Sequence, residues 1–121
     1  MIAWVALGGA VGAVLRAGVA VWLGSAVARG DFPWATLTVN AVGTTILAVL
    51  AALSVAARPV SSDLQLLVGT GFCGALTTFS TFAVELVLLV RAGAVGTAVT
   101  YGVTSLVMGL AIVIAIFKLI R

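Results

Sequence analysis

Two long stretches without a charged residue limit what this chain can fold into more than any other feature. No Asp, Glu, Lys or Arg occurs between Pro33 and Ala57, and none occurs between Ala92 and Phe117. Each stretch exceeds the roughly 20 residues that a helix needs to cross the hydrocarbon core of a bilayer. A soluble domain is excluded, because about a quarter of its residues would be charged, whereas this chain has six basic and three acidic residues in 121.

Two further apolar stretches each contain a single charge. Arg16 is the charged residue of residues 2–28, and Glu85 is that of residues 64–90. A charged side chain such as that of Arg16 costs free energy inside the hydrocarbon core, so Arg16 must reach the interface, pair with a carboxylate or face water. We therefore predict an all-α membrane protein, one transmembrane domain over residues 1–121, with four helices joined by short polar turns. The predicted spans are about 2–28, 33–57, 64–90 and 94–118.

Prolines bound the predicted second helix. Pro33 suits the first turn of a helix, where its missing N–H is not needed for a hydrogen bond. Pro59 suits a position just after the end of the helix, because proline cannot continue it.

The basic residues that flank the predicted helices are nearly balanced between the two sides of the membrane. Four spans place both termini on one side, with Arg58, Lys118 and Arg121, and place Arg29 and Arg91 on the other. The distribution of Lys and Arg sets the orientation of a membrane protein. The near balance leaves two interpretations open: local effects fix one orientation, or the chain inserts both ways and two copies pair antiparallel.

Polar side chains recur on one face of two predicted helices. In the second helix, Thr36, Asn40 and Thr44 are spaced i, i+4 and i+8 and therefore share a face. A polar group in lipid is costly unless it has a partner, so Asn40 either binds another helix or contributes to a site. The fourth helix has a similar cluster, made of Thr97, Tyr101, Thr104, Ser105 and Met108.

Residues 71–82, with the sequence GFCGALTTFSTF, place glycines and hydroxyls in the middle of the predicted third helix. Glycine weakens a helix, and hydroxyls compete for backbone hydrogen bonds, so we predict that this helix is broken near residues 74–80. Non-helical backbone is tolerated at membrane depth only inside protein or beside water. Phe79 and Phe82 follow at i and i+3, where they are either ordinary packing residues or aromatic edges that face an anion.

Residue types that support metal or nucleophilic chemistry are nearly missing from the sequence. The chain has one cysteine, Cys73, and no histidine, so metal, haem and Ser–His chemistry have almost no ligands or bases to use. No nucleophile and base form a recognisable pair. We predict that the protein is not an enzyme and does not bind nucleic acid.

Three motifs, in order along the chain, resemble those of the Fluc (CrcB) fluoride channels. They are the glycine-rich segment GGAVGAVLR at residues 8–16, the segment TLTVNAVG at residues 36–43, and GFCGALTTFSTF at residues 71–82. The last of these is the most specific, and the resemblance covers the whole chain. It departs from the family pattern at Ala17, where an aromatic residue often stands, and at Ala35, where a glycine does.

The resemblance implies a dual-topology, antiparallel dimer that exports fluoride passively from a bacterial cytoplasm through two pores in the inner membrane. It implies a homodimer or a heterodimer with a paralogue. It also implies a structural Na⁺ on the dimer axis, held by the backbone carbonyls of Gly74 and Thr77. Arg16 is expected at a pore mouth. The residues expected to line the fluoride pore are Asn40, Phe79, Phe82, Ser80, Thr81, Tyr101, Thr104 and Ser105.

Two alternatives remain from the sequence. A small four-helix, proton-coupled multidrug exporter shares this size, but it needs a titratable carboxylate in a central cavity, usually on the first helix. Here the first helix carries Arg16, and Glu85 lies on the third. The other alternative is a non-conducting packing subunit, which the dense motif of residues 69–82 argues against.

Overall fold

The computed structural model describes residues 1–58 and 60–121, so Pro59, predicted to follow the second helix, lies outside the described residues. Every regular element in those two ranges is helical. Four helical segments are long and apolar enough to cross a membrane. They are α1 (Ile2–Trp22), α2 (Trp34–Val55), a third segment (Ser62–Arg91) and a last helix (Val95–Leu119). The prediction of an all-helical chain with four such helices is confirmed.

The first helix ends at Trp22, whereas the sequence placed the end of this span at residue 28. The chain continues as a short 3₁₀-helix, Val27–Arg29. The Asp31 carboxylate accepts a hydrogen bond from the Ala26 N–H at 3.0 Å, and Gly30 has a left-handed φ of 99°. The acidic side chain therefore stabilises a turn in which the backbone leaves the α-helical path.

The third segment is made of four consecutive elements. They are α3 (Ser62–Leu64), a π-helix (Gln65–Cys73), α4 (Gly74–Leu76) and α5 (Phe79–Arg91). The last helix, Val95–Leu119, is α6. In a π-helix each N–H bonds to the carbonyl five residues back, and such segments are often found at functional sites.

Thr77 and Thr78 separate α4 from α5 in an extended conformation. Thr77 has φ −81° and ψ 156°, and Thr78 has φ −153° and ψ 120°. The Thr77 hydroxyl donates to the Cys73 carbonyl at 2.9 Å. The Thr78 hydroxyl caps α5 by accepting a hydrogen bond from the Thr81 N–H at 3.2 Å. These hydroxyls supply local partners at two helix ends that would otherwise lack them.

Glycines bring α1 into backbone contact with the π-helix. A Cβ on Gly8 would overlap the Leu67 carbonyl, and one on Gly71 would lie 2.7 Å from the Val5 carbonyl. The last helix, α6, packs against α2 and against α5, around the buried residues Leu37, Leu89, Ala98 and Tyr101. The extended residues therefore lie between two well-packed pairs of elements.

Candidate functional site

Asn40 on α2 binds both backbone groups of the extended residue Thr78. Its Oδ1 accepts from the Thr78 N–H at 2.8 Å, and its Nδ2 donates to the Thr78 carbonyl at 3.1 Å. A backbone group that leaves a helix inside a membrane protein must find another partner, and one amide side chain supplies both. Asn40 thus forms the hydrogen bonds to another helical segment that the sequence allowed for, and among the described residues one of its two amide N–H groups has no partner.

A cavity of about 430 Å³ lies beside this contact, and we call it the aromatic groove. It contains four of the residues that the sequence assigned to a pore, namely Asn40, Phe79, Phe82 and Ser105. Its other lining residues are Thr44, Thr77, Thr78, Gly102, Leu106, Met108 and Gly109. None of its lining residues has a formal charge. The groove therefore offers amide, hydroxyl and aromatic groups to a ligand without a fixed ion.

Aromatic rings continue from the groove into the core. The centroids of Phe79 and Phe82 are 5.8 Å apart, and those of Phe82 and Tyr101 are 5.0 Å apart in an edge-to-face arrangement. Aromatic edges are electropositive, so they can face an anion. Tyr101 is fully buried and contacts Phe82, whereas Phe79 is 79% exposed.

Glu85 is the centre of a hydrogen-bond cluster that sequence reasoning did not include in the site. One carboxylate oxygen accepts from the Thr36 hydroxyl at 2.8 Å, and the other accepts from the Tyr101 hydroxyl at 2.7 Å. The signal that could have found it is the rarity of a carboxylate inside a membrane span. Its partners lie too far along the chain for spacing to show that they meet.

Arg16 and Glu85 line a second cavity of about 350 Å³, which we call the polar cavity. The Arg16 guanidinium donates to the Thr77 carbonyl at 3.3 Å. The sequence left three possibilities open for Arg16, namely reaching the interface, pairing with a carboxylate or facing water. The contact with the Thr77 carbonyl is a fourth, and the residue also lines a cavity. Thr78 and Thr81 also line the polar cavity, so the extended backbone at Thr78 stands between the two cavities.

The remaining predicted residues are distributed around this interruption. The Ser80 hydroxyl lies 3.3 Å from that of Thr78, and the Thr81 hydroxyl accepts from Thr78 at 3.1 Å. Gly74 is exposed. Thr104 is half-buried and lines neither the aromatic groove nor the polar cavity.

Gly43 was not among the predicted site residues, yet it contacts the interruption directly. A Cβ at this position would overlap the methyl group of Thr77. The signal for it was its place one turn after Asn40, on the helix face that meets the extended residues.

The fold and the site define a small multi-pass membrane protein, with an uncharged, donor-lined groove beside an interruption in its third helical segment. The chain belongs to the CrcB family. The family model described as "CrcB-like protein, Camphor Resistance (CrcB)" matches residues 3–117, which confirms the resemblance seen in the sequence.

Relatives from several bacteria are similar over nearly the whole chain. The protein named "Fluoride-specific ion channel FluC" from Agrobacterium fabrum is 41% identical, over 94% of this chain and 90% of its own. Proteins of the same name from Erythrobacter litoralis and Rhodospirillum centenum are 43% and 38% identical, over 95% and 100% of this chain. The aligned regions cover 86% of the Erythrobacter litoralis protein and 95% of the Rhodospirillum centenum protein. These names describe ion channels, so the prediction that the chain is not an enzyme is confirmed.

Proposed function

We propose that this chain is a fluoride-selective channel that lets fluoride leave the bacterial cytoplasm passively across the inner membrane. The observation that carries the proposal is the aromatic groove, with its amide, hydroxyls and aromatic edges and no charged lining residue. Fluoride is small and strongly hydrated, so a pore must replace its water with other hydrogen-bond donors. The names of the similar proteins support this choice of ion.

The lack of a fixed cation in the groove suits conduction. Binding must be favourable enough for the ion to enter and weak enough for it to leave. The spare N–H of Asn40, the Ser105 hydroxyl and the edges of Phe79 and Phe82 meet that condition. Arg16 lies in the neighbouring polar cavity, where its charge attracts anions to the pore mouth without holding them between the phenylalanines.

Hydroxyls extend the proposed path beyond the groove. Ser80 and Thr81 stand at the start of α5 around Thr78, which links the groove to the polar cavity. Tyr101 supports Phe82 by its edge-to-face contact. Thr104 keeps its place in the proposed hydroxyl path on the strength of the resemblance alone.

A second copy completes the pore in this proposal. Phe79 is 79% exposed in one copy, so the groove is open on one side, where lipid would otherwise enter. The near balance of flanking basic residues allows both orientations, and we therefore propose an antiparallel dimer with two pores. The dimer is formed by two copies of this chain or by this chain and a paralogue.

The backbone beside the interruption fits a structural Na⁺ on the dimer axis. In a continuous helix the Thr78 N–H would bond to the Gly74 carbonyl, but here it donates to Asn40. The Gly74 carbonyl is thus released, and a side chain added at Gly74 would meet nothing within 4 Å, so another chain can approach. The Thr77 carbonyl accepts from Arg16 and has a second lone pair. Two copies would supply four carbonyl oxygens, the hard ligands that such a cation prefers.

The first test is fluoride efflux from liposomes that contain the purified chain alone, followed with a fluoride electrode and compared with chloride efflux. Rapid, fluoride-selective efflux supports the channel and shows that one kind of chain suffices. If the folded chain alone shows no fluoride efflux and coexpression with a paralogue restores it, the channel is a heterodimer. No fluoride efflux with or without the paralogue contradicts the proposal.

Isoleucine substitutions test the pore assignment. Phe79→Ile and Phe82→Ile should each abolish most fluoride efflux, because they remove the aromatic edges and keep an apolar side chain. Phe117→Ile is the matched control, since Phe117 lies near the end of α6 and lines neither cavity. Normal fluoride efflux in both Phe79→Ile and Phe82→Ile, with dimers intact, would contradict the assignment of these residues to the pore.

Glu85→Gln separates the channel from a proton-coupled exporter. The hydroxyls of Thr36 and Tyr101 can accept as well as donate hydrogen bonds, so a glutamine at this position can keep both contacts. Fluoride efflux should therefore persist in Glu85→Gln without a pH gradient. Loss of all flux, together with a wild-type protein that needs a proton gradient, favours the exporter.

A further inference from the structure

We propose that Thr44 donates its hydroxyl to the ion in the aromatic groove and sets part of the selectivity for a small, strongly hydrated anion. The inference rests on the fluoride-channel function proposed above. Thr44 shares the polar face of α2 with Thr36 and Asn40. The motifs gave Thr44 no role, and this proposal assigns it one.

The position of Thr44 is the first observation. It lies one helical turn beyond Asn40 on the same face of α2, it is half-buried, and it lines the groove together with Asn40 and Phe82. At a rise of about 1.5 Å per residue, four residues separate Asn40 and Thr44 by about 6 Å along the helix axis. The two side chains therefore define successive positions along the groove.

The hydrogen bonding of Thr44 is the second observation. A threonine in a membrane helix usually satisfies its hydroxyl with the carbonyl four residues back. The adjacent Thr45 does so, donating to the Ala41 carbonyl at 2.8 Å. Within residues 1–58 and 60–121, the side-chain hydrogen bonds include none from the Thr44 hydroxyl, and the residue lines the groove.

A second hydroxyl in the same groove has no partner. The Ser105 Oγ on α6 is buried and makes no hydrogen bond to the described residues, and it lines the groove with Thr44. A buried, unsatisfied polar atom in a native structure requires an explanation, such as a ligand or ordered water. A buried hydroxyl without a partner on α6, together with the Thr44 hydroxyl of α2 in the same uncharged cavity, points to a ligand that accepts hydrogen bonds.

The chemistry of the two positions favours a small anion. Conduction requires several weak sites, so that the ion passes from one to the next. Asn40 and the phenylalanine edges form one position, and Thr44 with Ser105 forms the next. A larger, weakly hydrated anion such as chloride gains less from each hydroxyl donor, so loss of Thr44 reduces the preference for fluoride.

The experiment compares Thr44→Val, Thr44→Ser and Thr45→Val in liposomes, with fluoride and chloride efflux measured at equal protein density. Valine keeps the shape of threonine and removes the hydroxyl. We expect Thr44→Val to slow fluoride efflux about tenfold, because the loss of one hydrogen bond to a charged group has an effect of about that size. The ratio of fluoride efflux to chloride efflux should also fall. Thr44→Ser, which retains the hydroxyl, should conduct like the wild type.

Thr45→Val is the matched control, because Thr45 is exposed and bonds to its own helix. A Thr44→Val protein whose fluoride efflux and selectivity equal those of Thr45→Val would overturn the inference. The inference would also be overturned if fluoride efflux in Thr44→Ser were as slow as in Thr44→Val. A wild-type chain that fails to conduct fluoride, alone or with a paralogue, overturns the proposed function instead. Size-exclusion profiles of the detergent-solubilised variants separate a conduction defect from misfolding.

Discussion

The Asn40 side chain forms hydrogen bonds with both backbone groups of Thr78 at the interruption of the third segment. Asn40 matches the N–H and the carbonyl of Thr78 at once, at 2.8 Å and 3.1 Å. Few side chains carry a donor and an acceptor on one planar group. The residue therefore stabilises an extended conformation that the apolar surroundings would otherwise make very costly.

Asn40→Asp tests that role, because it keeps the shape of the side chain, removes the amide donor and adds a negative charge. The amide donor is replaced by an oxygen that faces the Thr78 carbonyl, so a hydrogen bond becomes a repulsion. We expect the free energy of unfolding to fall by about 1–3 kcal/mol and fluoride efflux to be lost. Thermal unfolding of the detergent-solubilised protein measures the first effect and liposome efflux the second.

Thr45→Val serves as the reference for Asn40→Asp, since it changes a polar residue on the same helix away from the contact. A variant Asn40→Asp with the thermal midpoint and efflux of this reference would show that the paired contact with Thr78 does not hold the interruption in place.

At the level of elements, close approach of α1 and the π-helix depends on glycines that face each other. A Cβ on Gly12 would overlap the Phe72 carbonyl and lie 3.1 Å from the Leu76 nitrogen. Gly18, on the same helix, has nothing within 4 Å of the corresponding position. The two glycines therefore differ in environment while sharing the low helix propensity of the residue type.

Alanine should lower stability at Gly12 but not at Gly18. Gly12→Ala forces the backbones apart and should lower the free energy of unfolding by about 1–3 kcal/mol. Gly18→Ala should leave it unchanged or raise it by up to about 1 kcal/mol, through helix propensity alone. Thermal midpoints in detergent decide the comparison, and equal losses in both variants would mean that the backbone contact is not the cause.

The ends of α2 and α5 form the same capping motif with different residues. Ala57 has a φ of 54°, its N–H bonds to the Ser54 carbonyl at 3.2 Å, and the Arg58 N–H bonds to that of Leu53 at 3.0 Å. Gly93 occupies the equivalent place after α5 with a φ of 77°. This arrangement favours glycine, because a side chain is strained in the left-handed region.

Ala57→Gly should therefore stabilise the protein, and Gly93→Ala should destabilise it. The strain of about 1–2 kcal/mol at a left-handed alanine exceeds the extra entropy of glycine in the unfolded chain, about 0.5–1 kcal/mol. The free energy of unfolding should rise by up to about 1 kcal/mol in the first variant and fall by a similar amount in the second. A drop in thermal midpoint for Ala57→Gly would contradict the argument.

The sequence predicted the helical segments because their signals are local, and it failed where geometry depends on contacts between segments. Uncharged length indicates a span by itself. The π-helix Gln65–Cys73 has no local signature in its composition, and it forms where the backbone of α1 packs against it. The turn that follows the early end of α1 likewise contains a hydrogen bond between Ala26 and Asp31, which spacing did not suggest.

For the whole molecule, the same division separates the site residues found from the sequence from those that were missed. The motif around residues 77–82 lies on one short segment, so a resemblance could find it. Glu85 acquires its place from Thr36 and Tyr101, which come from two other helices. Thr44 and Gly43 depend equally on which face of α2 meets the interruption, and only the packed structure shows that.

Orientation in the membrane is the property of the whole chain that the proposed antiparallel pair most depends on. Arg29 and Arg91 lie on the side opposite the termini, and Arg58, Lys118 and Arg121 lie on the side with them. None of these residues lines the aromatic groove or the polar cavity. The balance can therefore be shifted without changing the proposed pore.

Two charge variants should each fix one orientation and lose activity, and together they should regain it. Replacing Arg29 and Arg91 with glutamine leaves the termini on the cytoplasmic side, and replacing the other three basic residues reverses that bias.

A cysteine added after Arg121 reports orientation with an impermeant maleimide, because the native Cys73 is buried. Each variant alone should lack fluoride efflux, since an antiparallel pair needs both orientations, and coexpression should restore it. Full efflux from either variant alone, with its orientation shown to be uniform, would mean that the channel does not need antiparallel copies.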